Sequence, residues 1–224
     1  LFVDGVQIAT NTGNLTTNPG SAVANHVRIG ATYGHDTSET FGGYMDEIRF
    51  VKGVAVYTGD FTPPTSRLAT TQSAGTNIAA ITGTATKLLI HSNQATAGAI
   101  TTTADANGEH PVLTLGDAPT HSLDVSGIAP ALTWPASGKA FGSSGAYFDG
   151  TGDYLSIVDS ADFDFQAANF TIDYWAKRTQ TGNNQFHWGW GGSDGDEDLG
   201  VRFSANDSIL AFWRNVGGSL TAWS

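Results

Sequence analysis

Short β-type runs recur along this chain at near-regular intervals, cut apart by turn clusters, and no stretch is long or periodic enough to make a substantial helix. Tyr154–Val158, Phe170–Ala176, Phe186–Trp190, Leu199–Phe203 and Ile209–Arg214 follow one another in this way. Strands this short, evenly spaced and separated by turn residues, predict an all-β, antiparallel β-sandwich or jelly roll. The one helix-like stretch, Ser160 to Phe165, is too short to matter, so Phe163 and Phe165 read as anchors of a turn.

Composition agrees and removes several functions. Only 14% of residues are charged while 40% are hydrophobic and 28 are Gly, a balance that suits strands and turns better than salt-bridged helices. The formal net charge of −11 argues against binding a phosphate backbone or an anionic membrane. With no Cys, neither disulfides nor thiolate metal sites can form, and packing must supply the stability. No run of roughly 18 apolar residues marks a membrane span. The first residues, Leu1 to Gly5, carry neither an initiator Met nor a signal-peptide charge, as if the chain were cut from something longer.

The first 65 residues carry their own β signals. Asp4-Gly5 between two apolar runs is the hairpin dipeptide, because both central positions of a type I′ turn need φ > 0. Val27–Gly30 and Tyr44–Val51 alternate like strands, which places Met45, Glu47, Arg49 and Val51 on one side and Tyr44, Asp46, Ile48 and Phe50 on the other. Pro63-Pro64 cannot continue a ladder and ends the sheet. Residues 66–85 are small, polar and unpatterned and read as a connector. Strand sequence resumes at Thr86–Ser92, and residues 93–140 predict long loops with a few short strands.

Phe148-Asp149-Gly150-Thr151-Gly152-Asp153-Tyr154-Leu155, followed by Phe163-Asp164-Phe165 and Asn169-Phe170-Thr171-Ile172-Asp173-Tyr174-Trp175, resembles the opening strands of concanavalin A-like, laminin G-like jelly rolls. Leu1-Phe2-Val3-Asp4-Gly5-Val6, Ile29-Gly30 and Gly43-Tyr44-Met45-Asp46-Glu47-Ile48-Arg49 resemble the closing strands of the same domain type. The pieces Lys52–Pro64 and Thr86–Ser92 are similar to versions of this domain in tailed-phage virion proteins. Closing motifs thus precede opening ones. Two organisations satisfy that order: residues 1–65 close one jelly roll, 66–85 link, and 86–224 open a second; or one circularly permuted domain spans 1–224. A strand that the family usually has between the Trp223 end and the Leu1 end is missing, which favours the first as the expectation.

The resemblance implies a structural Ca²⁺ held by Asp46, Asp149 and Gly152. Each of these has a plain structural role as well: a buried carboxylate accepting backbone N–H groups, a turn former and a φ > 0 position. The densest carboxylate cluster, Asp194-Gly195-Asp196-Glu197-Asp198, fails the EF-hand pattern because Leu199 stands where Gly is needed and Ala205 where the bidentate Glu belongs.

Sugar-binding modules set exposed aromatics against pyranose faces, so Trp188 and Trp190, with Asp194 nearby, form a candidate carbohydrate surface. On simple alternation Phe186 joins them and His187 faces the other way, although most such stripes are sandwich core. No Glu-x-Asp-x-Glu pattern of a glucanase and no nucleophile beside a His occurs, so hydrolase activity is not expected. The resemblance implies a noncatalytic structural or adhesive module at a virion surface or outside the cell, a tail-fibre, tail-tip or capsid component that contacts host glycans, other virion proteins or copies of itself. The alternative is a carbohydrate-binding module of a secreted bacterial glycanase.

Overall fold

A computed structural model describes residues 1–10, 26–31, 39–91, 102–104, 111–115, 120–123, 139–142, 144–158, 160–165, 168–191, 197–214 and 220–223. The chain is an all-β, antiparallel sandwich. Its strands are β1 (Phe2–Val3), β2 (Val6–Gln7), β3 (His26–Ile29), β4 (Gly42–Lys52), β5 (Thr86–Ile90), β6 (Thr102–Ala104), β7 (Pro111–Leu115), β8 (Thr120–Leu123), β9 (Ser144–Asp149), β10 (Tyr154–Val158), β11 (Phe170–Arg178), β12 (Gln185–Gly191), β13 (Glu197–Phe203), β14 (Ile209–Arg214) and β15 (Leu220–Trp223). The opening hairpin turns at Asp4 and Gly5 with φ of 49° and 81°, the pair of positive values that its sequence predicts.

One sheet runs β15-β14-β13-β12-β3-β10-β7-β6 and the other β11-β4-β9-β8, with β5 also on β4. The 11-residue β4 is the spine of the second sheet and is buried up to its last residue. Along one edge it pairs with β11, from Gly43↔Arg178 to Lys52↔Phe170. Its other edge is shared: β9 takes Gly42 to Met45 and β5 takes Ile48 to Val51. In the facing sheet β3 lies between β10 and β12. Strands from residues 1–65 and from residues 86–224 therefore share both sheets.

Between the sheets lies one continuous core. Met45, Ile48, Phe50, Leu88, Ile90 and Phe148 come from one side, and Val27, Ile29, Leu155, Ile157, Trp188, Trp190, Leu199 and Val201 from the other. Phe163, the last residue of a short 3₁₀ turn at Ala161–Phe163, and Phe165 just beyond it plug its end edge-on against Phe50 and Trp190. Each large apolar side chain removed from water in this way contributes about 1.5–3 kcal/mol, and with no disulfide this burial carries the fold.

Simple alternation fails at two bulges. Between Asp46↔Trp175 and Arg49↔Asp173, β4 sets Glu47 and Ile48 against the single residue Tyr174, and Glu47 adopts φ of 51°. The phase shifts by one. Met45 and then Ile48 and Phe50 enter the core, while Asp46, expected beside Ile48 and Phe50, turns to the outer face with Glu47 and Arg49. On β12 the extra residue is His187, between Phe186↔Arg202 and Trp188↔Val201. His187 therefore joins the tryptophan side against Phe41 and Phe203, and Phe186 turns outward onto Phe212.

The outer face of β4 is covered by residues 53–85. Val51, Val56 and Ile81 form a second buried cluster with Val54, Tyr57 and Ile78 packed on it. Residues 66–85, read from sequence as a connector, are stapled to this face. Leu68 N–H donates to Glu47 (2.8 Å), Arg49 donates to the Ala69 carbonyl (3.0 Å) and Gln72 (3.1 Å), and Thr86 Oγ1 donates to the Thr70 carbonyl (2.7 Å). Arg49 also grips Asp173 of β11 through both Nε (3.0 Å) and Nη2 (2.5 Å), with the Tyr57 hydroxyl donating to the same carboxylate (2.7 Å). Neutralising Arg49 by substitution with Met should leave the Asp173 charge in a largely buried setting and cost about 3–5 kcal/mol in denaturant unfolding. The double variant Arg49→Met with Asp173→Leu should recover a large part of that loss, and equal destabilisation of both proteins would contradict this account.

Candidate functional site

The register of β4 and β9 decides how the expected metal residues sit. Asp149 pairs with Gly42, and Ala146 with Met45, so Asp46 lies four residues along the strand from Asp149, on the order of 13 Å at 3.3 Å per residue. Asp149 Oδ1 accepts the Thr151 N–H (2.6 Å) in a turn closed by Gly152, whose φ is 80°, while Asp153 Oδ2 accepts the Asp149 N–H (2.8 Å). Asp46 has other work. Its Oδ1 accepts the Glu47 N–H (2.8 Å), which fixes the bulge, and its Oδ2 accepts the N–H groups of Ala140 (2.8 Å) and Phe141 (3.1 Å). The three residues implied as Ca²⁺ ligands thus do not converge on one point, and three N–H donors occupy the Asp46 oxygens. The donor arrangement does not fit a shared cation. Among the described residues no cluster of three or more His, Asp or Glu side chains is placed to hold a metal.

Trp188 and Trp190 lie inside the sandwich, 5% and 2% exposed, with Trp188 edge-on to Phe50 and Trp190 edge-on to Phe165. They form core, not a platform for a pyranose ring. Asp194, the third residue of that expectation, lies outside the described residues.

Two buried ionic centres flank the bulge, neither of them singled out by sequence reading. Glu47, fully buried, is met by His91 Nδ1 at 2.9 Å and more distantly by Arg67 Nε at 3.4 Å, in addition to the Leu68 N–H. Arg49 and Asp173 make the second, where burial, reinforced by the Asp173 charge, raises the Tyr57 hydroxyl well above its ordinary value. Every one of these groups is bound to a neighbouring strand or to the covering segment. The signal that could have exposed them is the sequence Asp46-Glu47-Ile48-Arg49 itself: four residues in a buried strand with three charges require partners on one face.

A cleft of about 520 Å³ lies along β11. β11 pairs only with β4 among the described residues, and the cleft lies against it. From Tyr57, Phe61 and the β1 strand outside, the cleft runs around β11 into the gap between the sheets, where Trp188, Phe203 and Ile209 form its wall. Its lining is mainly apolar, and two polar side chains, Tyr174 and His187, meet within it: the hydroxyl lies 2.8 Å from Nδ1. Burial holds the imidazole neutral, pushed down to about 3, with the Arg178 charge adding to the effect.

These features define a disulfide-free antiparallel β-sandwich with a buried polar spine and an open apolar cleft at one sheet edge. No family model, no curated protein and no solved structure matches the chain.

Asp46 supplies a pH signature. Burial pushes it up to about 7, and the Glu47 charge adds to this, while the N–H groups of Phe141, Ala140 and Glu47 pull the other way. A carboxyl raised in the folded state binds its proton more tightly there than in the unfolded chain, where it titrates near 3.8. Its contribution is complete below that value and is lost as pH rises through about 7. The melting temperature of the wild type should therefore fall relative to that of Asp46→Asn between pH 4.5 and pH 8, and parallel curves would refute the assignment.

Proposed function

We propose that this chain is a noncatalytic structural or adhesive module of a phage virion surface protein. The observation that carries the reading is the use of the buried charges: Asp46, Glu47, Arg49 and Asp173 each bind backbone or one another across strands. A hydrolase of the glucanase kind needs a carboxyl pair free to face substrate, one as acid and one as nucleophile or base. These carboxylates instead tie β4 to β11, to residues 67–72 and to residues 140–141. Support for a virion setting comes from the motif resemblance, and the two motifs meet where Phe148 and Asp149 pair with Gly43 and Gly42.

Glycan contact, if it is the adhesive chemistry, falls to aromatic side chains at the surface and not to Trp188 or Trp190. Tyr57 and Phe61 stack with ring centroids 3.8 Å apart at the rim of the cleft, and both are half-buried. The expected outcome of incubating the protein with bacterial capsule, lipopolysaccharide and β-glucan preparations is retention on at least one of them with no release of reducing ends. Phe61→Ser should weaken that retention, whereas Trp190→Phe should leave it unchanged. Release of reducing sugar would overturn the noncatalytic reading, and absence of retention would leave the structural role alone.

A further inference from the structure

The cleft beside β11 combines two properties that are hard to reconcile with a purely structural role. It is mainly apolar and open, and it is lined by a buried side chain with an unused polar atom: His187 is 4% exposed and its Nε2 has no hydrogen-bond partner among the described residues. A buried donor or acceptor without a partner is costly, and native structures leave few of them.

The partners of Tyr174 decide which kind of atom is orphaned. Its hydroxyl lies 2.8 Å from His187 Nδ1 and finds no other acceptor among the described residues. Trp188 Nε1–H, which also lines the cleft, is itself a donor and cannot take the hydroxyl proton. Burial raises the Tyr174 pKa, so the hydroxyl keeps its proton. Among the described residues Nδ1 is the one acceptor within its reach. In a neutral imidazole the other nitrogen then carries hydrogen, so Nε2–H is a donor in need of an acceptor.

We infer that the cleft binds a small, mainly apolar molecule bearing one acceptor oxygen, a ketone, ester or acyl compound, whose oxygen accepts the His187 Nε2–H while its hydrocarbon part lies against Phe170, Ile172, Phe203 and Ile209. The volume of about 520 Å³ falls in the range of ordinary small-molecule sites, and a mainly apolar lining with a few placed polar groups is how such sites select. A sugar, with a hydroxyl on nearly every carbon, would leave most of its hydrogen bonds unmade on these walls. The inference is therefore independent of the adhesive reading above.

Acetophenone and isopropylbenzene test it, because they share shape and differ by an oxygen in place of a methyl group. Both should bind the intact protein, measured by the change in tryptophan fluorescence, and Ile209→Trp should block both. In His187→Phe the preference for the ketone over the hydrocarbon should fall on the order of five- to tenfold, the effect of one lost hydrogen bond. A second readout needs no variant: in imidazole ¹⁵N spectra of the wild type, the His187 Nε2 signal should move with acetophenone and stay with isopropylbenzene. An unchanged preference in the variant, or an unmoved Nε2 signal, overturns the inference. So does absence of binding, including the case in which sedimentation shows the cleft filled by a second copy of the chain.

Discussion

The structure hangs on β4 and on the Arg49–Asp173 contact that fastens it to β11. β4 pairs along both edges over most of its length, and its partners come from three separate parts of the chain. A buried guanidinium can be tolerated there only because all of its nitrogens are used, on a carboxylate, a carbonyl and an amide oxygen. That requirement in turn places Asp173, Ala69 and Gln72. The position of β11, the course of residues 66–85 and the burial of the outer face of β4 are thus consequences of one set of hydrogen bonds.

The bulge at Glu47 makes this arrangement possible. Without it, strict alternation would send Asp46 into the core with Ile48 and Phe50, and the sandwich would have to bury a carboxylate among aromatics. The extra residue moves the break in phase to the one point where Asp46 can hold the N–H that the bulge frees. All three charged residues then fall on the outer face, where residues 67–72 meet Glu47 and Arg49, and Ala140 and Phe141 meet Asp46. The His187 bulge on the facing sheet acts in the opposite sense: it brings an imidazole inward, where it meets Tyr174 and lines the cleft.

Much of the fold was legible. The strands expected at Tyr154–Val158, Phe170–Ala176, Phe186–Trp190, Leu199–Phe203 and Ile209–Arg214 coincide with β10 to β14 to within a few residues, and the hairpin at Asp4-Gly5 was read directly from its turn dipeptide. Phe163 and Phe165 anchor a turn as their spacing suggested. The candidate site was less legible because face assignment depends on counting by twos, and each bulge resets the count. Trp188 and Trp190 have the composition of a sugar platform and the placement of core, a difference that only the opposing sheet can make.

The sequence alone determined the class: few charges, no cysteine, many turns and short evenly spaced apolar runs leave a chain with little choice but an antiparallel β fold, because those are local properties of backbone and side chain. Which strands pair, which face of β4 is covered, and that residues 66–85 serve as that cover were decided by tertiary structure. The physical reason is that these outcomes depend on partners distant in sequence. Arg49 meets Asp173 across 124 positions, and Tyr174 meets His187 across a gap between two sheets, where no local pattern carries the information.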